Sequence, residues 1–78
     1  MFNFDLGTFG EWLKSTRRAH DLTQKELAQR VSCTEITIRK IEADELRPSK
    51  RLTALIMVEL QVPEPQREML LHLARQGH

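Results

Sequence analysis

Two short helical patterns joined by a two-residue turn constrain this chain more than any other feature of its sequence. Thr23 and Glu26 form a capping-box pattern that predicts a helix over 24–31. Thr34 is a typical N-cap and predicts a second helix over 35–43. Apolar residues repeat at helical spacing through both segments, and they are Leu27, Ala28, Val31, Ile38 and Ile41.

This pattern predicts a rigid pair of helices with one shared core. Ala28 is small and is expected where the two helices cross, because a bulky residue there would push them apart. A polar residue in place of Ile38 would be buried without a partner, which costs free energy. In such a pair the second helix stands out from the body of the protein, as a helix must in order to enter the major groove of DNA.

The remaining sequence predicts three more helices, over 9–20, 50–61 and from about 65 to 75. Thr8 with Glu11 is another capping box, and Pro65 suits the first turn of the last helix. We therefore expect an all-α, five-helix bundle that forms a single domain over residues 1–78. The residues expected to face its core are Phe9, Leu13 and the stem of Arg17, then Leu52, Leu55, Ile56 and Leu60, and finally Met69, Leu70, Leu73 and Ala74, while Phe2 or Phe4 is expected to pack on the surface.

Composition excludes several classes of protein. The net charge of +1 is small for a nucleic-acid-binding domain, although basic residues gather near the two central helices. Cys33 alone makes neither an internal disulfide nor a zinc site, and the three histidines lie far apart in sequence. No apolar run approaches the roughly 20 residues of a membrane span, and no signal segment opens the sequence. Without a catalytic constellation or a phosphate-binding loop, we expect a cytoplasmic, non-enzymatic protein with no metal, cofactor, small-molecule ligand or membrane contact.

The central segment resembles the phage-repressor or XRE-type helix-turn-helix family of DNA-binding domains. The likeness rests on residues 22–28 (LTQKELA), on Val31 and on residues 37–42 (TIRKIE), and it extends over about residues 9–60. A narrower likeness, over residues 39–45 (RKIEADE) and 47–49 (RPS), is to the amino-terminal domain of large multidomain bacterial transcriptional regulators. Further domains of a longer protein would then follow it.

The resemblance implies a role for each matching position. Residues 34–43 would be the recognition helix within a helix-turn-helix over about 23–43, and double-stranded DNA would be the partner. Implied base contacts are Thr34, Glu35, Ile36, Thr37 and Lys40, and implied phosphate contacts are Gln24, Arg39, Arg47, Lys50 and Arg51. Lys40 would donate to guanine, Glu35 would accept from a cytosine amino group, and Ile36 would contact a thymine methyl. Arg17 and Glu42 match a buried structural ion pair in this family.

Three positions depart from the family pattern. Ser32 stands where glycine is common, in a left-handed turn, at a cost of about 1 kcal/mol. Glu35 would be repelled by phosphates and Ile36 donates no hydrogen bond, so both affect how bases are read. The alternative function is a protein-interaction module that uses the same fold without specific DNA readout. A weak homodimer also remains open.

Overall fold

A computed structural model of the protein describes residues 7–76, and it contains five helices and no strand in that range. The prediction of an all-α, five-helix fold is confirmed. The expectation for Phe2 and Phe4 falls outside the described residues. The helices are α1 (Phe9–Ala19), α2 (Gln24–Arg30), α3 (Glu35–Glu42), α4 (Lys50–Glu59) and α5 (Glu64–Gln76).

A hydroxyl side chain caps the start of each of the first four helices. In each case it accepts a hydrogen bond from the backbone N–H three residues later, which satisfies a donor that has no partner within the helix. In α1 and α2 the glutamate at that third position also accepts from the backbone N–H of the cap. These caps explain why the four helices begin where they do, and the capping residues are Thr8, Thr23, Thr34 and Ser49.

The ends of the same four helices are also alike. Two residues after each helix, the chain has a residue other than glycine in the left-handed conformation. At Ser32, which follows α2, φ is 61°, and the next backbone N–H, that of Cys33, donates to the carbonyl of Ala28 at 2.9 Å. This is the Schellman arrangement, which satisfies carbonyls left over at a helix end. The strained turn predicted at Ser32 is therefore one of four such turns within residues 7–76, and the others are at Asp21, Asp44 and Gln61.

One apolar core joins the five helices, and α1 lies at its centre. The α3 helix packs against α2 and α1, while α5 packs against α4 and α1. Trp12 and Leu13 of α1 are almost fully buried, as are Ile38 of α3, Ile56 of α4 and Leu70 of α5. The predicted central core residues Leu27, Ala28, Val31, Ile38 and Ile41 are all buried.

The predicted inner face of α4 is partly wrong. Leu55 is 38% exposed, whereas Thr53 and Met57 are buried beside Ile56. The α4 sequence is apolar around much of its circumference, so spacing alone does not identify the face that packs. Thr53 is tolerated in the core because its hydroxyl donates to the carbonyl of Ser49 at 2.8 Å.

The inner face of α5 needs a similar correction. Leu70 and Ala74 are buried and Leu73 is half-buried, but Met69 is 51% exposed. Leu70 and Ala74 are four residues apart and already form the stripe that packs on the other helices. Met69 lies beside that stripe and contributes to the surface instead.

Candidate nucleic-acid interface

The turn between α2 and α3 fixes how α3 is presented. Thr34 accepts a hydrogen bond from the N–H of Thr37 at 3.2 Å and caps α3, which begins at Glu35, three residues after the left-handed Ser32. Cys33, between them, is half-buried against the core, and this burial raises the pKa of its thiol above the usual value. With Ile38 and Ile41 buried, one face of α3 is anchored and the opposite face remains outside.

The exposed surface of α3 carries several of the predicted DNA-contacting residues. Ile36 and Lys40 lie opposite the buried face, and the predicted base contact Glu35 is exposed on the flank of the helix. Arg39, predicted to contact phosphate, is exposed as well. Ile36 is a large apolar side chain with 52% of its surface exposed. None of the other described helices covers this face, since α3 packs mainly on α2 and α1 through its buried side.

The two threonines among the predicted base contacts bond to each other. Thr34 is exposed and Thr37 is half-buried, and their hydroxyl oxygens lie 2.9 Å apart in a hydrogen bond. Thr34 also accepts from the N–H of Thr37 as the helix cap. Both hydroxyls therefore already hold the start of α3 in place.

Three of the predicted phosphate-binding residues come directly after α3. Arg47 lies in the connecting segment 43–49, and Lys50 and Arg51 begin α4. All three are exposed. The Ser49 cap fixes the first turn of α4, and buried Pro48 anchors the segment before it. These cations consequently project from a part of the backbone that is held firmly next to α3.

Arg17 and Glu42 form a buried ion pair between α1 and α3. Arg17 Nε donates to Glu42 Oε2 at 2.6 Å, and a second guanidinium nitrogen donates to Oε1 at 3.1 Å. The third nitrogen donates to the carbonyl of Leu22 at 2.6 Å, in the segment that leads into α2. A single guanidinium group thus connects three parts of the chain at once.

Gln24 takes part in the same network. Its side-chain N–H donates to Glu42 Oε1 at 3.0 Å, and the residue is half-buried. An amide nitrogen has two N–H groups, so this bond leaves one of them for a second acceptor. The sequence predicted a phosphate contact for Gln24, and it did not reveal the bond to Glu42.

A comparison with protein families matches residues 8–70 to the helix-turn-helix domain family. The chain belongs to this family. The match includes α1 to α4 and the first half of α5, and it agrees with the resemblance found in the sequence. Neither the curated proteins nor the solved structures gave a match.

Within this helix-turn-helix domain, Asp44 connects the end of α3 to the start of α1. Asp44 Oδ1 accepts from the N–H of Gly10 at 3.2 Å, and Oδ2 accepts from the Thr8 hydroxyl at 2.8 Å. An acidic group at a helix start also interacts favourably with the positive end of the helix dipole. The sequence did not predict this contact.

Gly10 allows α1 to approach the end of α3 closely. A Cβ atom at this position would lie 2.4 Å from the carbonyl oxygen of Ile41 and 2.8 Å from that of Glu42. Such distances are too short for a side chain of any kind. The sequence signal was a glycine inside a helical pattern, which often marks a packing constraint.

The start of α2 in the helix-turn-helix domain already holds a negative group. Glu26 accepts from the N–H of Thr23 at 2.9 Å, and this bond holds the pKa of the Glu26 carboxyl below its usual value. A phosphate contact at Gln24 would therefore use the side-chain amide, since the N-terminal end of α2 is occupied by a carboxylate.

Residues 7–76 hold no cluster of three or more metal-binding side chains. None of the helices in this described range is long and apolar enough to cross a membrane.

Proposed function

We propose that this chain is the sequence-specific double-stranded-DNA-binding domain of a bacterial transcriptional regulator. In this proposal α3 lies in the major groove, and Gln24, Arg47, Lys50 and Arg51 contact the phosphates on either side. The observation that carries the proposal is the uncovered outer face of α3, on a helix held rigidly by α2 and by the Arg17–Glu42 pair. The family match supports DNA binding in general. A cytoplasmic, non-enzymatic role follows from the same proposal.

Selection from a random duplex library is the direct test of this function. We expect a defined motif to be enriched at low salt, because side chains on a fixed helix read base edges in a fixed register. A motif with one half-site would indicate a monomer, and two half-sites about 34 Å apart would indicate a dimer. Uniformly weak binding with no enriched motif would contradict specific readout.

Replacing Lys50 by alanine tests the phosphate contacts separately from base readout. We expect the Lys50→Ala variant to bind all duplexes more weakly, and the slope of log affinity against log salt to become shallower by about one unit. The selected motif itself should not change. The measurement is a salt titration of the wild type and the variant on the selected duplex and on a scrambled one.

Arg75→Ala is the matched control for this loss of one positive charge. Arg75 is exposed on α5, which packs on α1 and α4. Its removal should leave the salt slope as it is in the wild type. Equal effects of the two variants would mean that only net charge matters and that Lys50 makes no defined contact.

A second candidate function is a protein-interaction module. The exposed Ile36 and the neighbouring Glu35 favour it, as does the net charge of only +1. Salt distinguishes the two functions, because binding to DNA falls steeply as salt rises and binding through an apolar interface does not.

A further inference from the structure

Two side chains form the part of α3 that lies farthest from the core. Successive residues of a helix are about 100° apart, so Ile36 and Lys40 each lie about 160° from Ile38, on opposite sides. Ile38 is fully buried and marks the inner face, whereas Ile36 is 52% exposed and Lys40 is exposed. Being four residues apart, Ile36 and Lys40 are neighbours on the surface of the helix.

The other predicted base contacts are less well placed to read a base. Glu35 lies only about 60° from Ile38 around the helix, on its flank. The hydroxyls of Thr34 and Thr37 are bonded to each other at 2.9 Å, and Thr34 caps the helix as well. Ile36 and Lys40 are therefore the residues that would enter a groove first.

The two side chains differ in the chemistry that they would recognise. Ile36 has no donor or acceptor, so in a major groove it matches the C5-methyl group of thymine. Lys40 has three donors and no acceptor, so it matches the O6 and N7 atoms of guanine. Four helical residues span about 6 Å along the helix axis, and successive base pairs rise by about 3.4 Å.

We propose that Ile36 and Lys40 select DNA sites in which a thymine and a guanine lie within two base pairs of each other in the major groove. This inference rests on the proposed function and names its target. Ile36 packs against the thymine methyl group, and Lys40 donates to the guanine. The exposed isoleucine thereby has a defined apolar partner within an otherwise polar groove.

Small chemical changes to single bases of the DNA test this pairing. In the duplex enriched by selection, each thymine is replaced in turn by deoxyuridine, which lacks only the methyl group. Each guanine is replaced by 7-deazaguanine, which lacks the N7 acceptor. We expect one deoxyuridine to weaken wild-type binding by about fourfold, the effect of one methyl group. One nearby 7-deazaguanine should weaken it by about five- to tenfold.

Protein variants assign each effect to its residue. Ile36→Ala should bind the thymine and deoxyuridine duplexes equally, and Lys40→Met should be indifferent to 7-deazaguanine. Both residues are exposed, so the variants should fold. Val58→Ala is the control, because Val58 is equally apolar and 58% exposed but lies on α4. It should retain both sensitivities of the wild type.

The outcomes separate this inference from the function on which it rests. An enriched motif whose binding is unaffected by every deoxyuridine would overturn the pairing and leave specific DNA binding intact. An Ile36→Ala variant whose binding is still weakened by deoxyuridine would also overturn the pairing. Failure to enrich any motif would instead remove the proposed function itself.

Discussion

Replacing Arg17 by methionine is expected to lower the free energy of unfolding by about 3–5 kcal/mol. The side chains of Arg17 and Glu42 are 8% and 3% exposed, so the change would leave the Glu42 carboxylate buried without its cation. It would also remove the donor to the Leu22 carbonyl. The total stability of a small domain is about 5–15 kcal/mol, so this is a large fraction. Equilibrium urea unfolding measures the change.

The Arg30–Glu59 pair is a matched control for this prediction. Its atoms are 3.2 Å apart, but its side chains are 55% and 30% exposed. Glu59→Gln should cost less than about 1 kcal/mol, as is usual for an ion pair in water. A comparably small cost for Arg17→Met would show that the buried pair does not hold α1 to α3.

Two further variants keep the measurement informative if Arg17→Met does not fold. Glu42→Gln keeps one acceptor oxygen for Arg17 and Gln24 but turns an NH2 group toward a guanidinium donor and leaves the buried cation unpaired, so it should also lose about 3–5 kcal/mol. The double variant Arg17→Met/Glu42→Leu removes both charges, and we expect it to be more stable than Arg17→Met alone. A double variant as unstable as the single one would assign the loss to packing and not to the unpaired charge.

The local parts of this fold were predictable from sequence. The capping boxes predicted at Thr8 and Thr23 and the cap predicted at Thr34 are present, and Ser49 caps α4 in the same way. Caps depend on residues that are three positions apart, so sequence spacing describes them completely.

The packing faces of α4 and α5 were less predictable. Leu55 and Met69 were expected inside and are exposed. Both helices carry more apolar residues than one packing face needs, so the choice of face depends on the helices that lie opposite. Those contacts involve residues distant in sequence, which periodicity does not describe.

The candidate interface was predictable as a set of positions but not as a network. Spacing and resemblance located the exposed residues of α3 and the Arg17–Glu42 pair. The bond from Gln24 to Glu42 and the bonds from Thr8 and Gly10 to Asp44 join residues that are 18, 36 and 34 positions apart. Only the folded chain brings such residues together.

Gly10→Ala is expected to reverse the usual effect of this substitution in a helix. Alanine normally favours a helix by about 1 kcal/mol over glycine. Here the new Cβ would meet the carbonyl oxygen of Ile41 at 2.4 Å and Asp44 Oδ1 at 2.6 Å. The Ile41 oxygen belongs to backbone and cannot rotate away, so α1 and α3 would have to separate. We expect a net loss of about 2–3 kcal/mol in the free energy of unfolding.

Ser15→Ala separates this steric effect from the propensity of α1. Ser15 is exposed on the same helix, so its change to alanine should leave stability unchanged or raise it slightly. The two variants are compared by urea unfolding under the same conditions. Because the displaced helix carries Glu42 at its end, Gly10→Ala should also weaken DNA binding, whereas Ser15→Ala should not. A Gly10→Ala variant as stable as the wild type would mean that the two helices can move apart at little cost, and that their close contact does not fix the position of α3.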